Sequence, residues 1–450
     1  MPAKRLLLSL AVAVLLLALA CKGDSGPRLP DLTPFDSEGL AKLHEIRDLA
    51  AQVRGLDPCE KVDEGTLTRE QLTAYYEEYE AEFSDDDREE LETTNKVMRL
   101  LHLMGPQDDL LQSYVGMHSS EVAGLYSNDE DKLVLVTDGE INLDIDDELI
   151  LAHEYVYCFQ HDTFDFKRLG KLEEKEGKDQ ANTEYSTTIE ALMEGDAMIS
   201  AISYVGAKLG EEGFNDWIDS VKEASSGDEE DSYPPFLERS FDFPYDQGMD
   251  FALYLWKKGG WDELNKAYDN PPSTTEQILH PEKYLAGERA EDLKLPDLSD
   301  DLGKRWERLG DDVFGEFDVY NYLLTLLGDE GVASAAAAGW GGGRIATYSR
   351  EDYSDRVLVH IVLTWDTPTD ATEFLTEYLN SVKAANGQQD LWDRSASAYG
   401  LFSWDDEDEH IYAGLEKRAL TIVIAADRGD RDAALAAMNL PSPGATPTSP

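Results

Sequence analysis

The chain has 450 residues, 42% of them hydrophobic, enough to fill the cores of two or three domains. Ninety-three Asp and Glu against 39 Lys and Arg give a formal charge of −54, which repels nucleic acid and anionic lipid surfaces and excludes both as charge-driven partners. The acid comes in runs such as "SDDDREE", "GDEEDS" and "WDDEDEH"; none has the ligand spacing and central glycine of an EF-hand, so they read as solvated surface, with a saline habitat as a second explanation.

Lys4 and Arg5 precede an apolar run from Leu6 to Ala20 that is short for a membrane span and ends in "ALAC", so residues 1–20 read as a cleaved export signal. Cys21 then stands where bacterial lipoproteins carry their acylated cysteine, with a plain secretory signal as the alternative. Residues 21–36 are rich in Pro, Gly and charge, as a flexible tether requires. The expectation is an externally facing protein of the cell membrane or outer envelope, held there by a lipid on Cys21.

From Ser37 to about Gly105 apolar residues recur at three and four spacings, which predicts helices. "EVAGLYSNDEDKLVLVTDG" holds two short β-branched or aromatic runs around a polar turn, a hairpin signal. A helix follows from about Asp146, a second from about Thr183 to Leu209, and further helical segments carry "FPYDQGMDFALYLWKKGGWDELNKAYDNPPSTTEQILHPEKY". The glycine cluster Gly341 to Gly343 marks a boundary. Beyond it strands are expected at Arg344 to Tyr348, Val357 to Leu363, Ala398 to Trp404, His410 to Leu415 and Ala419 to Ala425, with helices near Ala371 to Ala385 and Arg431 to Met438. The fold class is α+β: a mainly helical domain over 37–338 with a small β-hairpin, a small α+β domain over 339–440, and a disordered tail at 441–450. Cys59 and Cys158 are expected to be unpaired, the latter as a buried thiol on the helix from Asp146.

That helix carries "LAHEYVYCFQHD". In a zinc peptidase two histidines four residues apart lie on one helical face and grip one ion, while the glutamate after the first deprotonates the metal-bound water. His153 and Glu154 fill the first two places, and Glu194 in "EGDA" is a candidate third ligand. Position 157 is tyrosine, whose neutral phenol is a poor substitute for imidazole. His161 cannot replace it, lying about 12 Å from His153 along the helix. From these residues alone a structural His-Glu pair remains the alternative.

Four stretches in order, "VAGLYSNDEDKLVLV", "LAHEYVYCFQHDTFDF", "ALMEGDA" and "NPPSTTEQILHPEKY", resemble a family of bacterial envelope proteins with a zincin-like metallopeptidase domain, whose pattern runs HExxH, then Leu-Gln and Phe-Asp, then EGDA, then STEQILHPEKY. The resemblance covers roughly Leu40 to Tyr284, and the later "AAGWGGGR" also looks like the family's. It implies a zincin-like helical domain with zinc as cofactor, His153 and Glu194 as ligands, Tyr157 in the second ligand's place, and Glu154 as general base. Gln160 and Asp165 match the stretch after the second histidine, and His280 and Tyr284 the late motif. The chain departs from the pattern at Tyr157, and at His161 and Asp162, where the family shows Asp then Gln.

Two functions are compatible with this reading. One is a pseudoenzyme that keeps the peptidase fold and groove for a peptide or protein ligand or for scaffolding; the other is an active zinc metallopeptidase acting on envelope or extracellular peptides. An edge strand at Leu133 to Val136 would suit an extended peptide, or the hairpin is structural. His280 is a candidate donor to the oxyanion of a tetrahedral intermediate, with a structural histidine fixed by Pro281 as the alternative.

Overall fold

The computed structural model describes residues 27–59, 61–139, 143–166, 168–169, 182–224, 233–351, 356–397 and 400–441. Cys21 and the leader lie outside them. Side-chain caps start the first helices. Asp36 accepts the N–H groups of Glu38 and Gly39 to begin α1 (Ser37–Arg54), which Gly55 ends at φ 75°. Capping boxes of Thr68 with Gln71 and Ser84 with Asp87 begin α2 (Arg69–Ala81) and α3 (Asp85–Leu100), and Asp109 caps α4 (Leu110–Glu121).

Among these helices lies a four-stranded sheet of β1 (Thr33–Pro34), β2 (Asp63–Leu67), β3 (Gly124–Ser127) and β4 (Lys132–Val136), in the order β1-β2-β4-β3. β3 and β4 are the expected hairpin. β2 runs parallel to β4 and occupies its far side, so Leu133 to Val136 is an interior strand and the expectation that it forms the edge is corrected: the edge beside the site is β3. At Gly65 a Cβ would lie 2.5 Å from that of Leu32, so this strand passes its neighbour only without a side chain.

Asp144 caps α5 (Ile145–Thr163), whose first turn carries Asp146, Asp147 and Glu148, a charge placement that complements the helix dipole. α5 packs on β3, β4 and α1, and along α6 (Thr183–Ala224). Helical geometry breaks at Gly210 (φ 69°, ψ 177°), the residue after the expected end, and then resumes. α7 (Pro235–Gly259) crosses α6 at backbone contact: a Cβ on Gly195 would sit 2.0 Å from the Gly248 carbonyl oxygen, and one on Gly248 would sit 2.2 Å from that of Ala191. The short helices α8 (Trp261–Asp269), α9 (Thr275–Leu279), α10 (Pro281–Ala286) and α11 (Ser299–Leu302) follow.

The C-terminal region is a six-stranded antiparallel sheet in the order β5-β6-β7-β10-β9-β8, made of β5 (Trp306–Val313), β6 (Trp340–Arg350), β7 (Val357–Trp365), β8 (Leu401–Asp405), β9 (His410–Glu416) and β10 (Ala419–Ala425). β5 lies N-terminal to the glycine cluster at which the sequence placed the boundary. One face packs on α12 (Glu316–Leu327), α13 (Glu330–Ala337) and α14 (Pro368–Ala385), in a core that also takes Val97, Leu101 and Leu110 of the N-terminal region. The other face packs on α15 (Arg428–Ala437) through Leu358, Tyr412, Val423 and Leu435. The alternation of β7, with Val357, Val359 and Ile361 to one side and Leu358 to the other, is the period-two pattern of a strand covered on both faces.

Cys59 and Cys158 form a disulfide with Cα atoms 6.1 Å apart, which corrects the expectation of free thiols. Cys158 does face the core, but the segment leading into β2 brings Cys59 into the same apolar cluster. No helix among the described residues is long and apolar enough to cross a membrane.

Candidate functional site

The site forms where α5, α6 and α7 meet beneath β3. The 3.6-residue period puts His153 and Tyr157 on one face of α5, their ring centroids 5.5 Å apart. Glu194 of α6 faces them, with its Oε2 3.1 Å from His153 Nε2. The Tyr157 phenol and the Tyr245 phenol of α7 lie in the electrostatic field of the Glu194 carboxylate, and the Tyr245 ring stacks on His153 with centroids 6.2 Å apart. The expected trio of His153, Tyr157 and Glu194 therefore converges. Tyr245 was missed by the sequence reading, although its segment carries a signal in Gly248, a mid-helix glycine that marks the α6–α7 crossing three residues later.

Asp196 explains the rest of the "EGDA" motif. It is fully buried and accepts two hydrogen bonds from the equally buried Arg54, at 2.6 and 2.9 Å, with further donors in Tyr268 at 2.8 Å and Gln160 at 3.2 Å. Gln160 thus belongs to the scaffold that locks α5, α6, α1 and α8 together. Asp165 accepts from the Arg168 N–H, and Tyr284 donates to the Asn270 carbonyl at 2.8 Å. His161 stacks on Phe166. His280 pairs with Glu316 at 2.9 Å and does not line the cavity described below.

His153, Glu154 and Glu194 are 7, 8 and 7% exposed. Burial works against the His153 imidazolium, but the hydrogen bond and charge of Glu194 outweigh it and hold His153 above its ordinary value. Burial pushes Glu154 up to about 7, with His153 and the Tyr126 N–H opposing and Glu194 assisting the rise. Burial first, then the charge of Glu194, raise both phenols well above 10. The result is a close His153–Glu194 pair flanked by two phenols that hold their protons.

This donor set does not fit a resident zinc. It offers one imidazole and one carboxylate already in contact with each other, and the third position is a phenol that burial and the charge of Glu194 make still harder to deprotonate. Among the described residues, the cluster of three carboxylates with metal-like spacing lies elsewhere, at Glu276, Glu288 and Asp366, where oxygens within 4.8 Å of one another could hold a cation. The Lys283 ammonium fills it, 2.6, 2.9 and 3.1 Å from the three residues.

Above His153 and Glu154 opens a cavity of ≈ 530 Å³, walled by the end of α4, Gly124 of β3, α5, α6 and the start of α7. Gly124 is required there, because a Cβ would lie 2.6 Å from Ile150.

Among known proteins, a family model described as "Domain of unknown function (DUF8575)" matches residues 304–435, which hold the six-stranded sheet, helices α12 to α14 and most of α15, and none of the site. No curated protein and no solved structure matches the chain.

Proposed function

We propose that this chain is a metal-independent binding protein: a peptidase-like scaffold, catalytically impaired at its metal position, that keeps the cavity above α5 for a peptide or protein ligand and is carried on the cell envelope by a lipid on Cys21. The observation that carries the reading is the direct 3.1 Å contact between His153 and Glu194, with the Tyr157 ring 5.5 Å from that of His153 where a second imidazole would stand. A peptidase of the type the sequence resembles needs a Lewis acid to polarise the scissile carbonyl and acidify its water. Glu154 alone supplies only a base. The order of the resembling motifs along the chain supports descent from such an enzyme.

Elemental analysis of the purified soluble part tests this, with Tyr157→His beside it. Substoichiometric zinc in the wild type and increased zinc occupancy in Tyr157→His are expected. One tightly held zinc in the wild type, together with peptide cleavage that Glu154→Gln and Glu194→Ala abolish, would overturn the proposal in favour of an active zinc peptidase. The anchor is tested separately: Cys21→Ser should move the protein from the membrane to the soluble fraction, and unchanged membrane fractionation would remove the lipid from the proposal.

A further inference from the structure

The cavity above α5 has a chemistry of its own. Four carboxylates line it, those of Glu121, Glu154, Glu238 and Asp242, and among the described residues no lysine or arginine does. Its one basic group among the described residues, His153, already pairs with Glu194 at 3.1 Å. Acid is ordinary on the surface of a chain with a charge of −54, so the exposed members carry little weight. Glu154 is different. It is only 8% exposed, it lines the inner wall, and no hydrogen bond to its carboxylate is formed among the described residues. A buried carboxylate with spare lone pairs aimed into a cavity calls for a cationic partner.

The remaining walls are aromatic and apolar. Phe241 and Tyr245, one turn apart on α7, have ring centroids 5.8 Å apart, and Tyr233 is held over the opening by its hydroxyl, 3.2 Å from Ser120 Oγ. Ring faces attract cations, while Met117, Met198 and Ile150 offer surface to an aliphatic stem. The volume of ≈ 530 Å³ admits one long side chain with its flanking backbone.

We infer that this cavity binds an organic cation, an ammonium or guanidinium at the tip of an aliphatic chain, with Glu154 as its buried counter-ion and the Phe241–Tyr245 wall as its aromatic face. The inference rests on the reading of the site as a binding cavity and adds the class of ligand. The cation can come from a lysine or arginine side chain of a peptide or from a free amine, and the probes separate these sources.

The experiment is calorimetric titration in 0.15 M salt with three probes: a blocked Ala-Ala-Lys-Ala-Ala peptide, the same peptide with norleucine for lysine, and n-butylammonium. Saturable binding of one lysine peptide per chain is expected, about ten-fold or more tighter than the norleucine peptide. Glu154→Gln should weaken it by about the same factor, whereas Asp262→Asn, a surface carboxylate outside the cavity wall, should leave it unchanged. Saturable binding of n-butylammonium as tight as that of the peptide identifies a free amine as the ligand; tighter peptide binding identifies a basic segment. Equal affinity for the lysine and norleucine peptides, binding that Glu154→Gln retains, or no saturable binding overturns the inference. If Glu154→Gln fails to fold, Asp242→Asn takes its place, with a several-fold loss expected and unchanged affinity counting against the inference. Zinc is measured on the same samples. One zinc per chain sinks the metal-independent reading whatever the peptides do, and zinc-free protein that ignores the lysine peptide sinks the cation alone.

Discussion

Gly195 and Gly248 let α6 and α7 touch backbone to backbone, directly beside Glu194, and this contact brings Tyr245 to the Glu194 carboxylate. Gly195→Ala would place a methyl group 2.0 Å from a carbonyl oxygen that cannot move without its helix. Its expected cost is about 3 kcal/mol, the upper end of overpacking, with the two helices forced apart. Gly206→Ala, on the same helix, meets nothing nearer than 3.7 Å and should be neutral or stabilising by up to about 1 kcal/mol. Urea midpoints of the two variants check the contrast; equal effects would contradict it.

The Arg54–Asp196 pair predicts a large penalty for removing one partner. Both side chains are fully buried, so Asp196→Ala leaves a guanidinium without its counter-ion and should cost about 3–5 kcal/mol in chemical denaturation. Replacing both partners together, as Arg54→Met with Asp196→Leu, should cost less than Asp196→Ala alone, because no buried charge is then stranded. Additive losses would show that the charge pairing is not what the site depends on.

Where α6 begins against the C-terminal sheet, carboxyl groups are buried together. Burial holds Asp318 up to about 7, with the Gly315 N–H opposing and Asp312 adding to the rise, and burial followed by the charge of Asp318 holds Glu184 well above its ordinary value. An unfolded chain releases these protons near pH 4, so between about 4 and 7 the folded form carries protons that the unfolded form has lost. This contribution to stability is complete below about pH 4 and disappears as pH rises through 7, with a slope of up to about 1.4 kcal/mol per pH unit for each group. Asp318→Asn keeps an acceptor for the Gly315 N–H and removes one titration. It should flatten the fall in urea midpoint between pH 5 and pH 8; a profile parallel to the wild type would refute the assignment.

The disulfide closes a loop of sequence separation 99 and fixes the back of the site helix. Cys59→Ala with Cys158→Ala should lower stability by about 2–4 kcal/mol, read as a fall in Tm under non-oxidising conditions. Thiol titration of the denatured, unreduced wild type should find neither cysteine free.

The helices were legible in the sequence because their signals are local: Asp36, Thr68 and Ser84 sit where caps belong, and the apolar residues after them keep a helical period. The β-branched runs from Val357 and Ala419 announced their strands in the same way. β2 was not legible, since Asp63, Glu64 and Gly65 are poor strand formers and the strand exists through pairing with β4. β5 was hidden by its acids: Asp311 and Asp312 look solvated but are buried, one against Arg344 at 2.9 Å and the other against the Thr183 hydroxyl at 2.6 Å. At the site, the spacing of His153, Glu154 and Tyr157 placed them on one helix, and the "EGDA" stretch on the following helix pointed to Glu194, which the resemblance also implies. Tyr245 depends on a chain crossing whose only trace in the sequence is the mid-helix Gly248, and the disulfide on one that no local pattern encodes.

The position of β5 decides where this molecule can be divided. The glycine cluster reads as a joint, yet Gly342 and Gly343 lie within β6, paired with Thr364 and Leu363, and β5 on its other side pairs along its length from Trp306 to Val313. Severing the chain there would strand an eight-residue ribbon on one fragment and bare the flank of β6 on the other, two sticky borders of the kind that nucleate aggregates. Scission before Trp306, close to where the matched family begins, would leave all six strands on one piece, so proteases, recombination and protein engineers alike should find the safer seam on that side.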